Sequence, residues 1–130
     1  MAGLIWFVQW VHYPLFELAS RDRFAVFAEA HQRRTAWVVV PLMVTEAVTA
    51  AALLAQPPLG LERGLLWIGA TLLALVWLST ALLQVPEHRR LAAGWNAAAA
   101  RRLVRGNWLR TLGWSVRAWL ALELVARATP

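Results

Sequence analysis

The chain has 130 residues, 60% of them hydrophobic and 15% charged, against about 45–50% and about 25% in a soluble domain. That balance excludes an ordinary water-soluble protein. Its 13 basic residues are all arginine, seven acids oppose them, the net charge is +6, and the absence of cysteine removes disulfides, thiolate metal sites and cysteine nucleophiles. The arginines lie between long apolar runs, so a membrane surface or a protein partner suits them better than nucleic acid.

The first apolar run goes from Ala2 to Ala19, interrupted by Gln9, His12, Tyr13 and Glu17, and stops at Arg21-Asp22-Arg23. No basic residue precedes the apolar stretch and no small-x-small cleavage site follows it, so it reads as a retained membrane helix and not as a signal peptide. The second run, Thr35 to Ala55, contains Pro41, Thr45 and Glu46 and ends at Gln56-Pro57-Pro58-Leu59-Gly60, a predicted tight turn. The third, Leu65 to Val85, is the most purely apolar and ends at Pro86. The fourth, Trp108 to Ala126, carries Arg110, Arg117 and Glu123 and needs neighbours to cover its polar face. The predicted fold is an all-α integral membrane four-helix bundle, with residues 1–130 forming one membrane domain.

Nine arginines fall in the two connections after spans one and three, and only Arg63 and Arg127 fall on the opposite side. The positive-inside rule then places both connections in the cytoplasm and both termini outside. Each connection has an amphipathic pattern. Phe24, Phe27, Ala28 and His31 share one helical face, as do Leu91, Trp95, Ala99 and Leu103, which predicts two helices lying on, or extending from, the inner leaflet.

Polar residues inside the spans are costly when they face lipid, so they are expected to face each other. Gln9, His12 and Tyr13 share a face of span one; Asn107, Arg110, Thr111, Trp114 and Arg117 share one of span four; Thr80, Gln84 and His88 share one of span three. Counted along the helices, Glu46 and Arg117 both lie about 14–18 Å deep, which predicts an ion pair between them. Asn107, Arg110, Gln84 and His88 cluster nearer the cytoplasmic mouth, and the whole set outlines a pocket opening to the inside. In that pocket His12 and Glu46 are the candidate acid/base residues, and Arg110 is the candidate anion holder. Gln9, Tyr13, Gln84, His88, Asn107, Trp114 and Arg117 are candidate ligand-binding residues, with Trp114 able to stack on a flat ligand. A bound metal or haem would use His12, Glu46 and His88. On depth alone His12 and His88 differ by about a dozen Å, with His31 and His88 near the surface. No Gly-rich phosphate loop, Gly-x-Ser-x-Gly elbow or His-Glu-x-x-His pair is present.

Val8-Gln9-Trp10-Val11-His12-Tyr13-Pro14-Leu15-Phe16, Pro41-Leu42-Met43 with Glu46, Ser79 to Pro86 with His88, and Asn107-Trp108-Leu109-Arg110-Thr111 with Trp114 and Arg117 span nearly the whole chain. Together they resemble a family of small bacterial four-helix integral membrane proteins of uncharacterised activity. The Asn107-Trp108-x-Arg110-Thr111 segment is also distantly similar to the Trp-Asn-x-x-Arg-Thr ending of the anthrone-oxygenase-like membrane proteins, although Trp and Asn are exchanged and the spacing differs. The resemblance implies at most a four-helix membrane fold that tolerates a small aromatic or quinone-like ligand. The expected location is the bacterial inner membrane, as a multi-pass protein, and oxidoreductase or oxygenase-type chemistry in the pocket is a further expectation. The expected partners are the lipid bilayer and a lipophilic small molecule, with no nucleic acid and with room for a homo-oligomer. The alternatives are a non-catalytic accessory subunit docking on a membrane-protein partner, and third, a small proton-coupled transporter built on Glu46.

Overall fold

The computed structural model describes residues 1–58 and 62–128, all helix and connecting turns with no strand among them. Leu59 and Gly60 of the expected tight turn lie outside the described residues. Four helical rods result. The first joins α1 (Ala2–Phe7) to a π-helical turn (Val8–His12) and a 3-10 turn (Pro14–Leu18). The second is α2 (Phe24–Ala55). The third joins α3 (Arg63–Ser79), a second π-helical turn (Thr80–Gln84) and α4 (Val85–Ala92), and the fourth is α5 (Ala97–Ala128).

Both π-helical turns stand just ahead of a proline. Pro14 and Pro86 have no N–H to donate, and their rings crowd the carbonyl four residues back. The helix loosens there: the Tyr13 N–H reaches back five residues to the Val8 carbonyl, at 3.0 Å. Such turns are frequent at functional sites because they re-aim side chains, and here they carry Gln9, His12 and Gln84.

The two arginine-rich connections differ from the separate surface helices of the expectation, taking the other form it allowed, extension from the spans. Residues from Phe24 onward are the first turns of α2, and Ala97 to Asn107 are the first turns of α5. The expected single helix carrying Leu91, Trp95, Ala99 and Leu103 is instead split, with Leu91 on α4, Trp95 in the break and Ala99 and Leu103 on α5. The physical reason is local. No glycine or proline separates Phe24 from Thr35, so nothing stops the helix. The breaks fall instead at residues 19–23 and 93–96, where Gly94 takes φ +135° and Asn96 Oδ1 accepts the Ala99 N–H at 2.9 Å as an N-cap.

α5 is the hub, packing against α1, α3 and α4, while α2 packs against α3 and α4. At Gly113 a Cβ would stand 2.5 Å from Val76 Cγ2, so this glycine is what lets α5 and α3 approach. The arginine-rich end is closed by edge-to-face rings: Phe16 against Phe24 and Phe27, and Phe24 against Trp95, with the Arg21 guanidinium 3.6 Å above Trp95.

Polarity is sorted unusually. Gln9, Gln84, Asn107, Arg110 and Thr111 are buried, while Trp10, Trp37, Trp67, Leu82, Leu109, Trp119 and Leu122 stand exposed on the outside. Two helical stretches, Phe24–Ala55 and Arg63–Ala92, are long and apolar enough to cross a membrane, and most of each lies on the protein's outer surface. The first rod is interrupted by its π and 3-10 turns, and α5 carries Arg110, Arg117 and Glu123 along its inner and outer faces.

Candidate ligand-binding site

A cavity of about 270 Å³ lies between the first rod, α2, the second π-helical turn, α4 and α5. Leu4, Ile5, Val8, Val39 and Met43 make its apolar wall, and Tyr13, His31, Gln84, His88 and Arg110 supply its polar groups. It exists because α1 packs along α5 and leaves a gap toward α2.

Arg110 is 5% exposed. Its Nη1 donates to Asn107 Oδ1 at 3.1 Å, and Asn107 Nδ2 donates in turn to Gln9 Oε1 at 2.9 Å. Gln9 Nε2 donates to the Val104 carbonyl at 3.3 Å, which fixes the orientation of this chain of amides. The Tyr13 hydroxyl lies close enough to Arg110 to interact with it. No carboxylate forms an ion pair with Arg110 among the described residues, and its Nε has no partner. Neutral dipoles therefore hold a buried guanidinium, an arrangement that favours an incoming anion. Gln84 is 1% exposed, lines the same cavity, and neither its Oε1 nor its Nε2 has a hydrogen-bond partner. Gly106 faces this carboxamide, and a Cβ there would stand 2.9 Å from Gln84 Nε2. An unpaired buried amide costs about 1–3 kcal/mol, so a polar ligand atom that pairs with it recovers that cost.

Beside the cavity three imidazoles from three rods meet. His12 Nε2 is 2.8 Å from His31 Nδ1, whose other neighbour is Thr35 Oγ1 at 3.1 Å. His88 Nε2 lies 3.1 Å from the Tyr13 hydroxyl, and its ring centroid is 5.5 Å from that of His31. The depth difference expected between His12 and His88 is thus overturned, and His31, expected near the surface, is 9% exposed and lines the cavity. The cause is the unbroken start of α2. With the chain reversing at residues 19–23, His12 and His31 stand almost equally far from the turn and come level in an antiparallel pair of rods. Their near-symmetric placement about residues 21 and 22 was the signal in the sequence that could have found this pair.

Glu46 and Arg117 pair as equal depth requires: Arg117 Nη2 donates to Glu46 Oε2 at 2.7 Å, and its Nη1 donates to the Gly69 carbonyl. This pair borders a second, smaller cavity of about 130 Å³ between α2, α3 and α5. Glu46 stands fifteen residues beyond His31 on α2, about 22 Å along the axis. The expected joint site of His12, Glu46 and Arg110 is therefore divided, and so is the metal set of His12, Glu46 and His88. Among the described residues no three His, Asp or Glu side chains are arranged to hold a metal ion.

The remaining expectations sort by position. Tyr13, Gln84, His88 and Arg110 line the larger cavity. Gln9 and Asn107 stand behind Arg110 and orient it. His12 faces an outer groove with Leu15, Ser20, Arg23 and Phe27. Trp114 is 1% exposed and sits in the core, beneath the Arg117 guanidinium at 5.9 Å, so it does not face the larger cavity as a stacking platform. Gln32, Thr35 and Arg89 line the cavity without having been expected there.

No protein-family model, curated protein or solved structure matches the chain.

Proposed function

We propose that this protein is an integral membrane protein that binds a lipophilic molecule with an oxygen-bearing, anionic head in the cavity at Arg110. Membrane immersion is supported by the sorting of polarity: an outer surface of exposed Trp, Leu and Val around an interior holding Arg110, Asn107 and Gln84 is the reverse of what water selects. By the positive-inside rule the arginine-rich end, where Arg89 and Gln32 line the cavity, faces the cytoplasm.

The observation that carries the ligand reading is the pair of unsatisfied buried groups in one apolar-walled cavity. Among the described residues Arg110 has no carboxylate partner and the Gln84 carboxamide has no hydrogen-bond partner. The guanidinium would hold the head by charge-assisted hydrogen bonds, the Gln84 carboxamide would orient it, and the wall from Leu4 to Met43 would bury the apolar body. Chemistry on the bound molecule, of oxidoreductase or oxygenase type, is a further expectation of the same reading.

The test is native mass spectrometry of the protein released from lipid nanodiscs, with decanoic acid titrated as a probe. Binding at one site that falls about tenfold or more in Arg110→Met supports the reading, in line with the loss of one charge-assisted contact. Equal binding by the wild type and the variant contradicts it.

A further inference from the structure

The histidine cluster is not needed to bind an anion, and its placement joins two compartments. His12 is half-buried and lines the outer groove with Ser20 and Arg23 at the arginine-rich end. His31 is buried and lines the ligand cavity. Their nitrogens are 2.8 Å apart, a hydrogen-bond distance. No other pair of titratable side chains in the described residues connects the groove to the cavity through a direct hydrogen bond.

We infer that His12 and His31 form a proton path from the aqueous groove into the cavity, and that the ligand is a lipophilic weak oxygen acid that exchanges its proton there. The inference rests on the ligand reading above. Two steps in the passage of such an acid call for a proton carrier beside Arg110. An acid that enters from the bilayer arrives neutral, because a charged head is expensive in hydrocarbon, and it becomes an anion on meeting the guanidinium. Its departure requires the proton back.

The step balances with imidazoles and water alone. On entry the acid's O–H bond breaks and an N–H bond forms on His31, which passes a proton from Nδ1 to His12 Nε2. His12 then gives a proton from its other nitrogen to water in the groove. On exit every transfer runs in reverse. An imidazole can accept on one nitrogen while it releases from the other, which suits it to relay. The charged and titratable neighbours leave the two rings free for this. Thr35 is a neutral partner of His31, His88 is engaged with Tyr13, and Arg110 and Arg89 stand on the cavity side. Glu87, on α4, is occupied by Arg90 and Arg102, and Glu17 contacts the pair through no hydrogen bond.

The experiment uses the full chain in nanodiscs loaded with carboxyl-labelled decanoic acid. A pH jump is followed by isotope-edited infrared spectroscopy, which separates the protonated from the ionised carboxyl of the bound acid. In His12→Gln the dissociation constant stays at the wild-type value, the protonation rate falls about 100-fold, within the usual range for a lost acid–base group, and added imidazole restores part of it. An unchanged rate in a variant that still binds overturns the proton path and leaves the ligand reading standing. Failure of the wild type to bind decanoic acid overturns both. Should His12→Gln fail to fold, the unaltered protein with nitrogen-labelled histidine decides: His12 and His31 titrating as one coupled pair on addition of the acid supports the path, and independent titration overturns it.

Discussion

Arg110 and Arg117 stand seven residues apart on the same helix, and both are drawn out of solvent, yet their surroundings are opposite. Arg117 meets Glu46 at 2.7 Å and the Gly69 carbonyl, tying α5 to α2 and α3. Arg110 meets Asn107 and interacts with the Tyr13 hydroxyl, both neutral, and opens onto the larger cavity. The first charge is neutralised within the fold and acts as a fastening. The second is oriented and left without a counter-charge, which is the condition for binding one from outside. Counting the cations that a helix draws into the fold therefore says little until their partners are known.

The contrast can be broken most forcefully at the fastening. Glu46→Leu strands Arg117 beside the smaller cavity and is expected to destabilise the protein by about 2–3 kcal/mol, at or below the lower end for breaking a buried pair because the Glu46 side chain is 32% exposed. Denaturation by sodium dodecyl sulfate in mixed micelles measures it, and adding Arg117→Met to the same chain should restore most of the loss. The amide chain behind Arg110 comes next. Asn107→Leu leaves Gln9 Oε1 and Arg110 Nη1 without their partners, an expected cost of about 2 kcal/mol by the same assay. The smallest effect has the opposite sign: Gln84→Leu removes a buried amide that pairs with nothing, so the ligand-free protein should gain about 1 kcal/mol while its affinity for decanoic acid falls.

Much of this was legible in the residues. Four apolar runs gave four helical rods, whereas the interruption ahead of Pro14 and the break after Ala92 fell where continuous helix was expected. The Glu46–Arg117 pair followed from helix rise alone, since both residues lie within long unbroken helices whose length converts directly to depth. Depth failed for His12, His31 and His88 because it assumed that each rod ends where its apolar run ends. α2 and α4 carry their helical backbone well past that point, into arginine-rich sequence, and a level set by composition was wrong where the hydrogen-bonded helix continued. The division of Glu46 from His12 and Arg110 has the same origin. The unpaired state of Gln84 was illegible for another reason: it depends on a π-helical turn and on the space left at Gly106, both three-dimensional consequences of how rods pack around Pro86.

The account turns on the difference between the two arginines, and a single paired measurement tests it. Arg110→Met and Arg117→Met are compared in nanodiscs, each for ligand-free stability and for decanoic acid binding. Removing a buried cation that lacks a carboxylate relieves its desolvation, which offsets the loss of the Asn107 Oδ1 contact, so Arg110→Met is expected to stay close to wild-type stability and to bind at least about tenfold more weakly. Arg117→Met is expected to be destabilised, because it leaves Glu46 unpaired, and to bind as the wild type does. Equal losses of stability in the two variants, with binding retained in Arg110→Met, would contradict the account.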